Sequence, residues 1–195
     1  MTAPALYLIR HGQTEDNVAE RLTGQRDSPL TALGVEQAIA NGRLLADLVN
    51  PRAFDFVASP LRRAARTMEL VREAAGMPPA GYRSDPRLME GDFGTWHGRA
   101  WRDSKTYWKE LRARTANDAW HTPWPGGESR AQFYARVNDF LETLTRDTVI
   151  VSHGGTVRMI RGALLRLSND DILSFAPPNS GIIEISRGRE RMHGQ

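Results

Sequence analysis

Two stretches of the chain are apolar without alternation, Ala5–Ile9 (ALYLI) and Thr148–Ser152 (TVIVS). Unbroken runs of β-branched and aromatic residues predict strands that helices cover on both faces, as in parallel sheets. Shorter strand candidates are Phe54–Ser59 (FDFVAS) and Gly181–Ser186 (GIIEIS). Between them the apolar period becomes helical. Val35, Ala38, Ile39, Gly42, Leu45 and Val49 share one helical face behind a cap at Thr31. Leu61, Ala64, Ala65, Met68 and Val71 repeat that spacing after Ser59-Pro60, with Pro60 suited to a first helical turn. Ser129–Gln132 has the form of a capping box, followed by Phe133, Val137, Phe140, Leu141 and Leu144. Val157, Ile160, Leu164 and Leu167 mark a last amphipathic helix. Strands alternating with helices predict an α/β fold with a mainly parallel sheet. No repeat or low-complexity linker interrupts the pattern, so one domain over residues 1–195 is expected. The segment at about 98–127 fits the alternation poorly and reads as an insertion.

In open α/β sheets, ligands bind beyond the carboxyl ends of the strands. Three predicted strands end in polar groups: Arg10-His11, Ser59-Pro60-Leu61-Arg62 and Ser152-His153-Gly154. One strand-end histidine is ordinarily a hydrogen-bonded structural residue. Two, each followed by glycine (RHG and SHGG), are harder to explain that way. Glycine lets backbone pass close to a ligand and offers N–H groups to an anion. Arg10 and Arg62 bring guanidinium forks suited to phosphate oxygens. The rival is a metal site, but it needs a third ligand and these histidines neighbour arginines, which repel a cation. No metal is expected.

The motifs LIRHGQT..N, ASPLRRAART, LMEGDFGTWHG and VSHGG, with PGGES at Pro125–Ser129, together resemble the histidine phosphatase superfamily, the phosphoglycerate mutase-like fold. The likeness runs from Leu6 to about Ile185. It implies a three-layer α/β/α sandwich and a set of roles. His11 would be the nucleophile that becomes phosphohistidine. Arg10, Arg62 and His153 would surround the transferred phosphoryl group, and Glu90 falls where the family keeps its proton donor, with Asp92 the next carboxylate. Asn17 would touch phosphate, and Thr23, Gly24 and Gly154 would lie against substrate. Many relatives carry glutamate where this chain has His97, which puts local substrate contacts at issue. Cationic neighbours disfavour protonation of a nucleophilic imidazole. Arginines and backbone N–H groups can stabilise charge on the transferring phosphoryl without a cofactor.

Composition narrows the alternatives. The chain of 195 residues is 40% hydrophobic and has no cysteine, so disulfides, thiolate metal sites and cysteine nucleophiles are excluded. No apolar run approaches the roughly 20 residues that span a bilayer, and the first ten residues lack the pattern of a signal peptide. A cytoplasmic protein with no membrane partner is expected. Net charge is +3 and the pI about 9.7, with lysine only at Lys105 and Lys109. This arginine richness fits a compositional preference or a phosphorylated substrate. No dense basic stripe occurs outside Arg187–Gln195 (RGRERMHGQ), so a nucleic-acid partner is not expected, and that tail reads as a frayed end. A homodimer is possible.

The expected activity is hydrolysis of a small phosphorylated metabolite. A phosphoglycerate mutase-type isomerase is the alternative, disfavoured by the modest insertion and short tail. An inactive phospholigand-binding module is a third reading, disfavoured because every catalytic side chain is kept. All five tryptophans (Trp96, Trp101, Trp108, Trp120, Trp124) fall in or beside the insertion. They read either as the core of a subdomain or as an aromatic cap over the phosphate pocket. Arg99, Arg102, Arg112 and Arg114 there could greet a second anionic group.

Overall fold

The computed structural model describes residues 4–114 and 118–194; the side chains of Leu111, Arg112 and Arg114 lie outside the described part, so the expectation for those two arginines does too. Six strands form one mixed sheet: β1 (Leu6–Arg10), β2 (Asp55–Ala58), β3 (Arg83–Ser84), β4 (Thr148–Ser152), β5 (Ile182–Ser186) and β6 (Arg189–His193). Their order is β3-β2-β4-β1-β5-β6. The four strands from β3 to β1 are parallel; β5 runs antiparallel to β1, and β6 antiparallel to β5.

Alternation along each strand divides the core in two. Leu6, Leu8, Val57, Ile150, Ile183 and Ile185 face one side. There they meet Phe133, Val137 and Phe140 of α5 (Arg130–Leu141), and Val157 and Ile160 of α6 (Gly154–Leu165). Tyr7, Ile9, Phe56, Ala58, Val149 and Val151 face the other. Their partners are Leu45 of α2 (Ala32–Leu48) and Ala64, Met68 and Val71 of α3 (Arg62–Ala74). The unbroken apolar runs are therefore strands buried on both faces of an α/β/α sandwich. The short helix α1 (Glu15–Val18) follows β1, the short helix α7 (Asn169–Ser174) lies between α6 and β5, and α4 (Trp101–Arg114) belongs to the segment between β3 and α5. No helix of the described residues is long and apolar enough to cross a membrane.

The caps read from sequence form as expected. Thr31 accepts from Gly34 N–H, and Ser129 with Gln132 closes a capping box ahead of α5. Two expectations fail. Pro60 is not in the first turn of α3, because Leu61 takes the N-cap position and the helix begins at Arg62. The basic tail is not frayed: Arg187 and Gly188, both at positive φ (53° and 70°), make a two-residue turn that folds β6 back on β5. A turn with positive φ at both central residues matches the twist of a hairpin, and glycine adopts it at no steric cost. Side chains then fix β6 from two directions: Arg161 of α6 pairs with Glu190, and His193 Nε2 meets Glu184 of β5 at 2.8 Å.

Candidate active site

Register brings the strand-end groups together. Arg10 pairs with Ser152 across β1 and β4, and the next peptide, His11 N–H, donates to the Ser152 carbonyl at 2.8 Å. His11 and His153 therefore leave the sheet side by side. Their rings meet edge to face with centroids 5.1 Å apart. Ser59, just past β2, reaches His153 Nε2 at 2.7 Å through its hydroxyl.

The tautomer of His11 follows from its contacts. Nδ1 lies 2.8 Å from the Gly12 carbonyl, which can only accept, so Nδ1 carries the hydrogen. Nε2 keeps its lone pair and accepts from Arg63 Nε–H at 3.2 Å. Burial, with Arg63 and Arg10 nearby, holds the imidazole well below its usual value near 6.5. His153, fully buried, is lowered well below that value by burial first and then by Arg63, His11 and Arg10. Its Nδ1 has no hydrogen-bond partner among the described residues. The site thus presents one neutral, nucleophilic nitrogen beside two guanidinium groups.

Arg62 is not one of them. Its side chain is exposed, and its backbone N–H donates to the exposed Asp27 carboxylate at 3.3 Å. The inward arginine is Arg63, 2% exposed, whose Nη1 and Nη2 donate to the carbonyls of Arg26 and Gly24 at 2.6 Å each. Helical phase explains the exchange. Arg62 continues the outer row of Arg66, Glu69 and Glu73, while Arg63 continues the inner row of Thr67 and Leu70.

Arg10, His11, Asn17, Thr23, Gly24, Arg63, Glu90 and Gly154 border one cavity of about 620 Å³; His153 stands buried behind His11. Asn17 is oriented by a reciprocal capping box with Thr14. Glu90 is held by its two oxygens, one accepting from Gly91 N–H and the other from Gly155 N–H, both at 3.0 Å. Gly155 is the second glycine of SHGG, and a Cβ there would collide with the Glu90 carboxylate. Its lack of a side chain is what lets Glu90 dock on the first turn of α6. Asp92 lines the same cavity and accepts from Gly94 N–H at 2.9 Å.

His97 does not line the cavity. Its Nε2 accepts from Phe93 N–H at 2.9 Å, and burial lowers its pKa. It is therefore neutral, and its 3.2 Å approach to Asp92 is a contact rather than an ion pair. Its ring lies against Gly24 and Phe93, so it shapes the Gly24 turn from behind.

The tryptophans divide. Trp108 and Trp124 are buried with Leu22 and Ala119, and Tyr107 stacks on Trp124 at 5.6 Å. Trp96 joins this cluster and Trp120 packs on Tyr134 of α5. Trp108 and Trp124 also border the cavity, so the aromatic core and the cap are one object. Trp101 differs: it is 44% exposed, borders the cavity and makes no ring contact among the described residues. Arg102 lines the cavity as well, whereas Arg99 lies over the Trp96 ring.

Among the cavity residues that sequence reasoning missed, three stand out besides Arg63. Asn179 donates to the His11 carbonyl at 2.7 Å, and Pro177 accepts from Arg10 Nη1 at 2.7 Å, both from the loop after α7. Arg158 of α6 is the third. A polar residue at the cavity-facing phase of α6, one turn past SHGG, was the available signal for it.

The family model described as histidine phosphatase superfamily (branch 1) matches residues 6–194. The 2,3-bisphosphoglycerate-dependent phosphoglycerate mutases of Rhizobium rhizogenes and Rhizobium meliloti are 34% and 36% identical over 177 residues, covering 87% of this chain and 83% of each relative. The crystal structure of the alpha-ribazole phosphatase from Shigella flexneri superposes with a TM-score of 0.78 at 29% identity, covering 97% of this chain and 94% of that one.

Proposed function

The chain belongs to the histidine phosphatase superfamily, branch 1, and on that premise we propose that it is a phosphomonoesterase that works through phosphohistidine at His11. The observation that carries this reading is the His11 ring, fixed with its Nε2 lone pair beside Arg63 and Arg10. In the first step Nε2 attacks phosphorus, the ester P–O bond breaks, and Glu90 gives a proton to the leaving oxygen. Arg10 and Arg63, which border the cavity, hold the transferring phosphoryl group, and His153 backs the His11 ring. In the second step a water gives its proton to Glu90 and attacks phosphorus. The P–N bond breaks, and His11 recovers its lone pair as phosphate departs.

Hydrolysis is favoured over isomerisation by the size of the cavity, about 620 Å³. A water molecule needs about 30 Å³ of liquid volume, so a small ester shares this space with many waters. A mutase must keep water from its phosphohistidine. The second reading, a mutase, draws on the names of the two rhizobial relatives and on Arg21, Arg102 and Lys105 along the cavity. These cations could hold the acidic end of a phosphoglycerate.

The deciding assay supplies 3-phosphoglycerate with a trace of 2,3-bisphosphoglycerate, and separately a panel of alkyl and aryl phosphates, before and after exhaustive chelation. Release of phosphate that survives chelation is the expected outcome. Rapid formation of 2-phosphoglycerate with little free phosphate would establish the mutase instead.

A further inference from the structure

Strand β1 runs on beyond its pairing with β5. The two strands are in register at Leu6–Ile185, Tyr7–Glu184 and Leu8–Ile183. Continued to His11, that register would bring up Ser180, but the pairing ends before it and β5 begins only after Gly181, whose φ is 93°. A side chain supplies what the strand does not. Asn179 Nδ2 donates to the His11 carbonyl at 2.7 Å.

That bond holds one edge of the His11–Gly12 peptide, and Thr67 holds the other. The Thr67 hydroxyl accepts from Gly12 N–H at 3.2 Å and donates to the Arg63 carbonyl at 2.7 Å. A peptide unit is planar, so its carbonyl and its N–H turn together. The tilt of this plane sets where the next carbonyl lies, and the Gly12 carbonyl is the anchor of His11 Nδ1 at 2.8 Å. Gly12 brings little stiffness of its own, because glycine has wide backbone freedom and a Cβ there would strike the Gly34 carbonyl. The direction of the Nε2 lone pair therefore depends on bonds made to one peptide plane from outside.

Asn179 is itself seated from α2. That helix buries the stripe Gly34, Ala38, Asn41, Gly42 and Leu45, in which Asn41, 2% exposed, is the polar member. Its Oδ1 accepts from Gly181 N–H at 2.7 Å, and its Nδ2 donates to the Asn179 carbonyl at 3.4 Å. Gly181 N–H can only donate, which fixes the orientation of the Asn41 amide. One side chain thus takes a carbonyl and the N–H two residues on, the pair that a neighbouring strand would take. Pro177 and Pro178, with φ held at about −65° by their rings, stiffen the approach, and the Pro177 carbonyl accepts from Arg10. We infer that Asn179, seated by Asn41, is a positioning residue for the nucleophile: it holds the His11–Gly12 peptide at the tilt that aims Nε2 at phosphorus. This rests on the reading of His11 as the group that takes the phosphoryl.

The test uses the full chain with Asn179→Ala, Asn179→Leu, Asn41→Ala and the double variant of both alanines, each assayed below its own melting transition. Asn179→Ala should lower kcat for nitrophenyl phosphate roughly tenfold to a hundredfold, the scale of a small misplacement of reacting groups. KM and the calorimetric affinity for inorganic phosphate should stay within about twofold, as for independent sites, because Arg10 and Arg63 are kept. Asn179→Leu, which fills the space without the donor, should be as slow as the alanine variant. The ring is read by the His11 Nδ1–H proton resonance, which should exchange with water faster in both Asn179 variants than in wild type. In the Asn179→Ala background, adding Asn41→Ala should cost less kcat than it does alone. A fall in phosphate affinity as large as the fall in kcat would make Asn179 a ligand of the phosphoryl group instead. An unchanged ring signal, a leucine variant as fast as wild type, or additive losses in the double variant would each overturn the inference as well. If wild type releases no phosphate from any ester, the phosphatase reading falls, while the ring signal still decides whether Asn179 holds His11.

Discussion

Replacing either of two adjacent arginines by alanine should have opposite consequences. Arg63→Ala removes the donor to His11 Nε2 and strips the Gly24 and Arg26 carbonyls of their 2.6 Å partners. An unsatisfied buried polar group costs about 1–3 kcal/mol. Gly24 borders the cavity, where water can replace part of the loss, and removing one cation relieves repulsion with Arg10. A net destabilisation of about 2–4 kcal/mol follows, or roughly 5–15 °C in melting temperature for a chain of this size. Catalysis loses a comparable free energy, because deleting one preorganised donor to a developing charge costs about 10²–10³ in kcat. Arg62→Ala should alter stability by no more than about 0.5 kcal/mol, as for other exposed positions, since its hydrogen bond to Asp27 comes from the backbone. The assay is thermal melting together with steady-state hydrolysis of an aryl phosphate. Arg63→Lys serves as a control that keeps the charge but loses the three-way fork. If Arg62→Ala proves the damaging change and Arg63→Ala the silent one, the helical-phase argument for α3 is wrong.

Three further outcomes are expected. His11 and His153 have folded-state pKa values well below 6.5, so below about pH 6.5 the unfolded chain binds more protons than the native one; stability should fall with decreasing pH by up to about 1.4 kcal/mol per unit per histidine, and be insensitive to them above about pH 7.5. Urea melts of wild type and His153→Gln from pH 7.5 to 5 check this, and an unchanged slope in the variant would remove His153 from the account. Glu90→Gln should cripple alkyl phosphate hydrolysis by roughly 10²–10⁴-fold while sparing the first step with nitrophenyl phosphate, seen as a burst of nitrophenol; equal impairment of that step for both leaving groups would dismiss Glu90 as the acid. Trp101→Ala should reduce turnover of aryl phosphates more than of small alkyl phosphates with little change in melting temperature, because the ring is exposed at the cavity and packs on no other ring among the described residues; a large loss of stability would place it in the aromatic core instead.

Much of this architecture was legible because its signals are local and redundant. The runs ALYLI and TVIVS state their own burial, and the Thr31 and Ser129 caps state where helices begin. The motif order brought His11, Arg10, Glu90 and His153 to one place before any geometry was known. What was misread needed phase or long-range pairing. Choosing Arg62 over Arg63 ignored that α3 turns about 100° per residue, so adjacent arginines cannot share a face. The tail seemed to fray because RERMH is polar, yet its pairing comes from β5 and its turn from Arg187-Gly188. Arg158 and Asn179 sit in unremarkable sequence, and only the folded chain reveals that they border the cavity. The aromatic cluster could not be assigned to core or cap because Trp108 and Trp124 serve both.

The groups around the phosphoryl position come from the ends of β1 and β4 and from α3, whose frame is the main sheet and its two cores. The outer wall comes from α4 and its aromatic cluster, which is cemented largely by its own rings. Chemistry and selectivity therefore have separate foundations. On the reaction proposed above, drift in the α4 segment would change which alcohol departs without disturbing the His11 nitrogen. A lineage built this way can acquire new substrates by exchanging one wall, and its members can diverge in physiological role while their catalytic machinery stays superimposable.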